Sequence, residues 1–265
     1  MEHLNLKQIA EECPSVLTST HSENLSKVYK KITTTDVIDI LEKNNWKPTH
    51  AIQVGTRKGN EKTIPFKKHM VRFRNPHIDL LSSNIGGYEA NHPEIVVTNS
   101  HDGKSSFKFH VGVFRLVCGN GLVIADKTFD SFKINHKGFD QSKVLNVLDE
   151  VTQNIPSVMN RVEVMMNRKL NTRQKEKFAL ESVNRRWGSD RHIVLTDLLK
   201  INRTADRGSD MWTVFNRVQE NMLKGGLNSY VKKDGEYKYS KTRPVTSIDN
   251  NLKINKMLWE LAENF

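Results

Sequence analysis

Only two cysteines occur in 265 residues, Cys13 and Cys118. No CxxC pair exists, which argues against a cysteine-rich zinc site. A disulfide framework is equally unsupported, as expected of a protein kept in a reducing cytosol. No run of 18 apolar residues occurs, so no membrane span is expected. The opening MEHLNLKQIAEECPS is polar and acidic. It reads neither as a secretory signal nor as an Arg-rich transit peptide, so a cytoplasmic location is expected. Walker, GxSxG and GxGxxG sequences are missing, which argues against nucleotide hydrolysis, serine hydrolysis and dinucleotide binding. There is no internal repeat and no low-complexity tract. Apolar residues make up 37%. That is low for a globular chain, but a chain this long still buries roughly 70% of its unfolded surface.

What the sequence has in excess is positive charge. Lys and Arg number 41 against 30 Asp and Glu, a net +11 with a pI of 9.6. Such an excess favours a polyanionic partner, most often nucleic acid. The plainer alternative is solubility alone.

The stretch 94–125, EIVVTNSHDGKSSFKFHVGVFRLVCGNGLVIA, organises the rest. Asp102-Gly103 and Asn120-Gly121 mark hairpin turns, because Gly accepts positive φ and Asn and Asp reach it cheaply. Between them, residues 107–117 read as a central strand. Before this stretch, residues 1–30 read as a loosely attached arm or, alternatively, a packed strap. Thr33-Thr34-Thr35-Asp36 caps a helix over 35–44. Trp46 is expected to pack on the core. Residues 50–57 and 64–74 read as strands joined at 58–62. In the second strand the period of two puts Lys68, Met70, Arg72 and Arg74 on one face and His69, Val71 and Phe73 on the other. Residues 75–93 form a long irregular connection.

After the strands the pattern turns helical. Apolar residues recur at helical spacing over 141–170, with Pro156 expected to kink or split the helix. Asn171-Thr172 starts another helix through Trp187, carrying Arg173, Lys175, Lys177, Arg185 and Arg186. A short helical segment is expected over 193–199 and a polar loop over 202–208. Ser209-Asp210 caps the next helix, which stops at Gly225-Gly226. A small basic hairpin turns at Asp234-Gly235, and a last helix spans 247–264. Strands joined by short loops pair antiparallel. The expected class is α+β: an antiparallel β-meander with long helices on one face and a helical C-terminal region. The expected division is 1–30 arm, 31–188 α+β core and 189–265 helical region packed on the core.

Three constellations carry chemistry. The first is a basic ridge of Lys68, Arg72, Arg74 and Arg115, with Lys67, Lys104, Lys108 and Lys127 near and Phe66, Phe73, Phe129 and Phe132 interleaved. Cations for phosphates and rings for bases suit a single nucleic-acid strand. The alternative is a solvated strand face over core phenylalanines. The second is the turn Asn99-Ser100-His101-Asp102. Neighbouring strand residues point apart, so a local triad is geometrically poor. His101 as base and Cys118 as nucleophile across the hairpins is an enzymatic reading. Asx-type turn bonds are the structural one. The third is His69, His101 and His110, a conceivable metal site without HxH or HExxH spacing. No metal or other cofactor is expected from it.

Several stretches together resemble a known family: KHMVRFRNP (68–76), PEIVVTNSHDGKSSF (93–107), GVFRLVCGNGLVIA (112–125), NRTADRGSDMWTVFNRVQENMLKGG (202–226) and TRPVTSIDNNLKINKMLWELA (242–262). They resemble the phage- and plasmid-borne domain-of-unknown-function family numbered nine-three-two, over about residues 30–265. The family carries no established activity. The resemblance implies a phage or mobile-element gene acting on DNA in a bacterial cytoplasm. It marks His69, Arg72, Arg74, Asn99, Ser100, His101, Asp102, Arg115, Cys118, Asn120 and Gly121 as motif members without roles. In layout alone the chain also looks like the core of single-strand annealing recombinases, which is analogy.

The leading expectation is therefore a binding protein, not an enzyme. It takes single-stranded DNA in recombination or replication, with homo-oligomerisation left open. Lys68, Arg72, Arg74 and Arg115 would hold phosphate, Phe73 or Phe132 would stack on bases, and Asn99 and His101 would touch the backbone. The alternatives are an enzyme on nucleic acid or nucleotide through a His101/Asp102/Cys118 pocket with His69, and a protein-binding counter-defence factor.

Overall fold

The computed structural model describes residues 3–18, 33–78, 91–102, 105–115, 133–134, 141–233 and 235–265. The class is α+β. Five strands lie in sequential order in one antiparallel meander: β1 Lys47–Gln53, β2 His69–Arg74, β3 Asn91–Asn99, β4 Phe107–Arg115 and β5 Lys133–Ile134. A second sheet has β6 Arg191–Ile193, β7 Asn228–Lys233 and β8 Glu236–Lys241 in that order. The helices are α1 Leu6–Glu12, α2 Thr34–Lys43, α3 Gln141–Asn167, α4 Thr172–Trp187, α5 Leu195–Leu198, α6 Met211–Lys224 and α7 Ile248–Glu263. Among the described residues no helix is long and apolar enough to cross a membrane.

The chain divides into two compact units. The first comprises Met1–Ser83, His92–Gly112 and Lys127–Pro156, and the second Asn84–Asn91, Val113–Asp126 and Ser157–Phe265. The boundary within α3 falls at Pro156, and α3 is one helix from Gln141 to Asn167.

In the first unit β2 pairs antiparallel with β1 and β3, Val71 lying opposite both Ala51 and Val97. α2 is capped by Thr33, whose side chain accepts from the Asp36 backbone N–H, and it ends at Asn44. Asn45 then takes a positive φ of 64°, which Asn tolerates. Trp46 follows, 1% exposed, as expected of it. The second expected strand is shorter than its pattern. Residues Glu61–Phe66 are a 3-10 helix, and the strand starts only at His69. Pro65 has no N–H to give a ladder, which accounts for the delay. All nine residues of β3 are buried, so both sheet faces are covered there. The described part of the expected loose arm is packed. Ile9, Cys13 and Val16 are fully buried, and the Leu4 N–H donates to the Pro48 carbonyl.

The second unit is built around α6. Every residue from Met211 to Leu223 is buried. Trp212 stacks on Phe215 at 5.4 Å, and Trp259 of α7 meets both rings edge-on. Several polar residues in and beside α6 find partners within the core. The Asp210 cap accepts from the Thr213 N–H, and Arg217 donates to the Asp206 and Gly208 carbonyls. Asn221 donates to the Leu198 and Lys200 carbonyls. Within the helix expected over 193–199, Leu195–Leu198 is α5, while Ile193 ends the strand β6.

Candidate nucleic-acid interface

In the first unit the ridge arginines turn inward. Glu94, wholly buried on β3, accepts from Arg72 Nε at 2.5 Å and from Arg74 Nε and Nη2 at 3.1 and 2.5 Å. Register dictates this meeting, because Arg74 lies directly opposite Glu94 and Arg72 opposite Val96. The side chains of Arg72 and Arg74 are only 13% and 6% exposed. Phe73 has no exposed surface and presents no ring to a base. Lys68 is half-buried beside β2. Arg115 ends β4, its side chain outside the described residues, as are Phe132 and the 118–121 turn.

The turn residues belong to a buried polar chain. His69 Nδ1 lies 3.1 Å from the Lys67 carbonyl, which can only accept, so this nitrogen carries the proton. Nε2 then accepts from the Thr34 hydroxyl at 2.7 Å, and Thr34 accepts from the Asn99 amide at 3.1 Å. Ser15 Oγ lies 3.0 Å from Nδ1, and Cys13 Sγ lies 3.7 Å from Ser15. Asn99 Oδ1 takes the Ser100 N–H, and Ser100 donates to Asp102 at 2.7 Å. His101 stands 5.2 Å from the His69 ring, itself fully buried. The chain ties the packed N-terminal strap, α2 and two strands together. Asn99 and His101 present no surface to a ligand. Both ring nitrogens of His69 are taken, and among the described residues no cluster of three His, Cys, Asp or Glu is placed to hold a metal.

In the second unit a set of cations shares one cleft. This cleft, of about 800 Å³, is lined by the end of α4, by β6, by β8 with the segment after it, and by the start of α7. Arg185, Arg186, Arg191, Lys241, Arg243 and Lys253 line it, with Trp187, and no Asp or Glu does. Among the described residues none of these six is ion-paired. Arg186 lies over the Trp187 ring at 4.2 Å and donates to the Met222 carbonyl. Burial, and then the charge of Arg191, bring its pKa down to about 10. An anion between the two guanidinia relieves that repulsion.

The wall 242–245 is laced to the end of α6. Gly226 N–H donates to Thr242, Thr242 N–H to Leu227 and Val245 N–H to Leu223. Ser247 caps α7, a helix of sixteen residues, and Ser247 and Asn250 face the cleft. The positive end of that helix adds to the field. Asp249 lies in the same first turn but off the cleft wall. The sequence carried a trace of this site in Arg185, Arg186 and the basic hairpin. Its parts fall in two separate blocks, 185–191 and 240–257, however, and a pattern read along one element does not join them.

These elements lie within a match to the family model described as Domain of unknown function (DUF932), which covers residues 22–259. The chain belongs to that family. It is similar to the UPF0380 protein YafZ of Escherichia coli (strain K12), 33% identical over 261 residues, 98% of this chain and 90% of that one. It is equally similar, by the same measures, to the UPF0380 protein YfjQ of the same organism. No solved structure matches.

Proposed function

We propose that the protein binds nucleic acid, single-stranded DNA being the favoured ligand, and that the cleft of the second unit grips its phosphates. The observation that carries this is the set of six cations in one cleft without a carboxylate among them. Six like charges held together at a surface repel one another, and a fold keeps such a set most economically when a polyanion neutralises it. The ridge arginines differ in kind, since Glu94 already neutralises part of their charge. Annealing in recombination or replication of mobile DNA is the activity consistent with the family resemblance and the layout, and a strand-annealing assay tests it.

The test of binding is fluorescence anisotropy of labelled oligonucleotides over a range of salt. Affinity for a single strand should fall with salt at roughly 0.7 log units per neutralised phosphate. Replacing Arg185, Arg243 and Lys253 with Ala should weaken binding and lower that slope by about 2. A variant losing Lys7, Lys58 and Lys62, three exposed lysines of the first unit, removes the same charge and should keep the slope. Equal effects of the two variants would reduce the cleft to general charge, and no binding at low salt would refute the proposal.

A further inference from the structure

We infer that the outer face of the sheet β6–β7–β8 is a base-stacking platform for single-stranded nucleic acid. The inference rests on the nucleic-acid reading and adds the substrate class.

Pairing fixes the two faces. Tyr230 lies opposite both His192 and Tyr239, and Lys232 opposite Tyr237. The alternation of a strand therefore places His192, Tyr230, Lys232, Tyr237, Tyr239 and Lys241 on one face. The other face turns inward, with Ile193 and Ser229 buried. On the outer face Tyr230, Tyr237 and Tyr239 are 45%, 55% and 56% exposed. Three large rings gathered in water are costly on a surface that meets nothing.

The rings are pre-set. Tyr230 and Tyr239 meet at 5.9 Å, and His192 and Tyr237 at 5.2 Å. The Tyr239 hydroxyl donates to Asn228 at 2.6 Å, and the Tyr237 hydroxyl lies 3.3 Å from His192 Nε2. A ring held at its tip keeps its face available and loses little freedom when a base covers it.

Charge selects the occupant. Lys232 and Lys241 share the aromatic face, and Lys241 also lines the cationic cleft. A strand gripped by phosphate in the cleft thus reaches the tyrosines without a break. Rings interleaved with lysines, next to a cleft free of carboxylates, fit a polyanion that carries flat faces. Successive outward residues of β8 stand about 6.8 Å apart, twice the ~3.4 Å base step of a duplex strand. A duplex keeps its base faces stacked inside, so only an unpaired strand can offer one to each ring.

The experiment measures binding of the full chain to oligothymidylate and to a duplex, for wild type, for Tyr230/Tyr237/Tyr239→Ala and for the same three changed to Phe. Stacking on one ring is worth roughly 5- to 150-fold in affinity. The Ala variant should lose at least about tenfold on the single strand and leave duplex binding and its salt slope unchanged. The Phe variant keeps the rings but frees their tips, and should recover most of the affinity that the Ala variant loses. Circular dichroism and the melting temperature check that the variants are folded, which exposed positions favour. Wild-type affinity for the single strand in a folded Ala variant overturns the platform and leaves the cleft standing. Absence of any binding by wild type overturns both.

Discussion

Gly225 and Arg243 touch backbone to backbone: a Cβ built on Gly225 would stand 2.6 Å from the Arg243 carbonyl carbon. Gly225 also has φ 70° and ψ −156°, a conformation reserved for glycine. This one position ends α6 and lets the cleft wall close on it. Gly225→Ala should cost about 2–4 kcal/mol, combining the backbone strain with the displaced wall. Urea unfolding measures the loss. Oligonucleotide binding at a temperature where the variant is folded should also weaken, because Arg243 moves. A variant as stable as wild type would show that the wall yields freely.

The Arg72–Glu94–Arg74 set predicts a contrast. Glu94→Ala strips two largely buried guanidinia of the carboxylate they share and should cost about 3–5 kcal/mol. Replacing all three together by Met, Leu and Met removes charge and hunger for partners at once, and should recover most of that loss. Chemical denaturation of the two variants decides it. Arg72→Ala should lower stability yet leave the salt slope of oligonucleotide binding intact, the opposite of what a phosphate-binding ridge would give.

These residues show what was legible in the sequence. Thr33, Asp210, Ser247 and Gly225 marked helix ends correctly because capping is local chemistry. Asp234-Gly235 announced the β7–β8 hairpin for the same reason. Alternation in β2 put Arg72 and Arg74 together, and the sheet agrees. What alternation did not reveal is that β3 places Glu94 against them, since cross-strand register is tertiary information. The three residues of β6 are too few to show a period, so the sheet carrying the tyrosines looked like a lone hairpin. The cleft fell outside any single pattern, because its cations come from α4, β6, β8 and α7.

Cys13 should be chemically silent while the fold is intact. Burial pushes its thiol up to about 11, so near pH 8 only about one molecule in a thousand carries a thiolate there. In a Cys118→Ser variant Cys13 is the sole thiol. Its labelling by a thiol reagent at pH 8 should be slow and should accelerate with urea in step with unfolding. Immediate stoichiometric labelling would show that the N-terminal strap detaches readily.

His50 predicts the acid limb of stability. Burial first, and the charge of Arg72 second, lower its pKa below the ordinary 6.5. Above pH 6.5 the imidazole is neutral in folded and unfolded chains alike and adds no pH dependence. As the pH falls below 6.5 the unfolded chain takes up the proton first, so stability drains away until the folded-state pKa is passed. His50→Gln removes the titration and should flatten the decline of stability between pH 6.5 and pH 5, with little change at pH 8. Urea midpoints across that range measure it. Because Arg72 is the second cause, Arg72→Met should raise the His50 pKa, visible as a shift of its imidazole proton resonance in a pH titration. An unmoved resonance would leave burial as the sole cause.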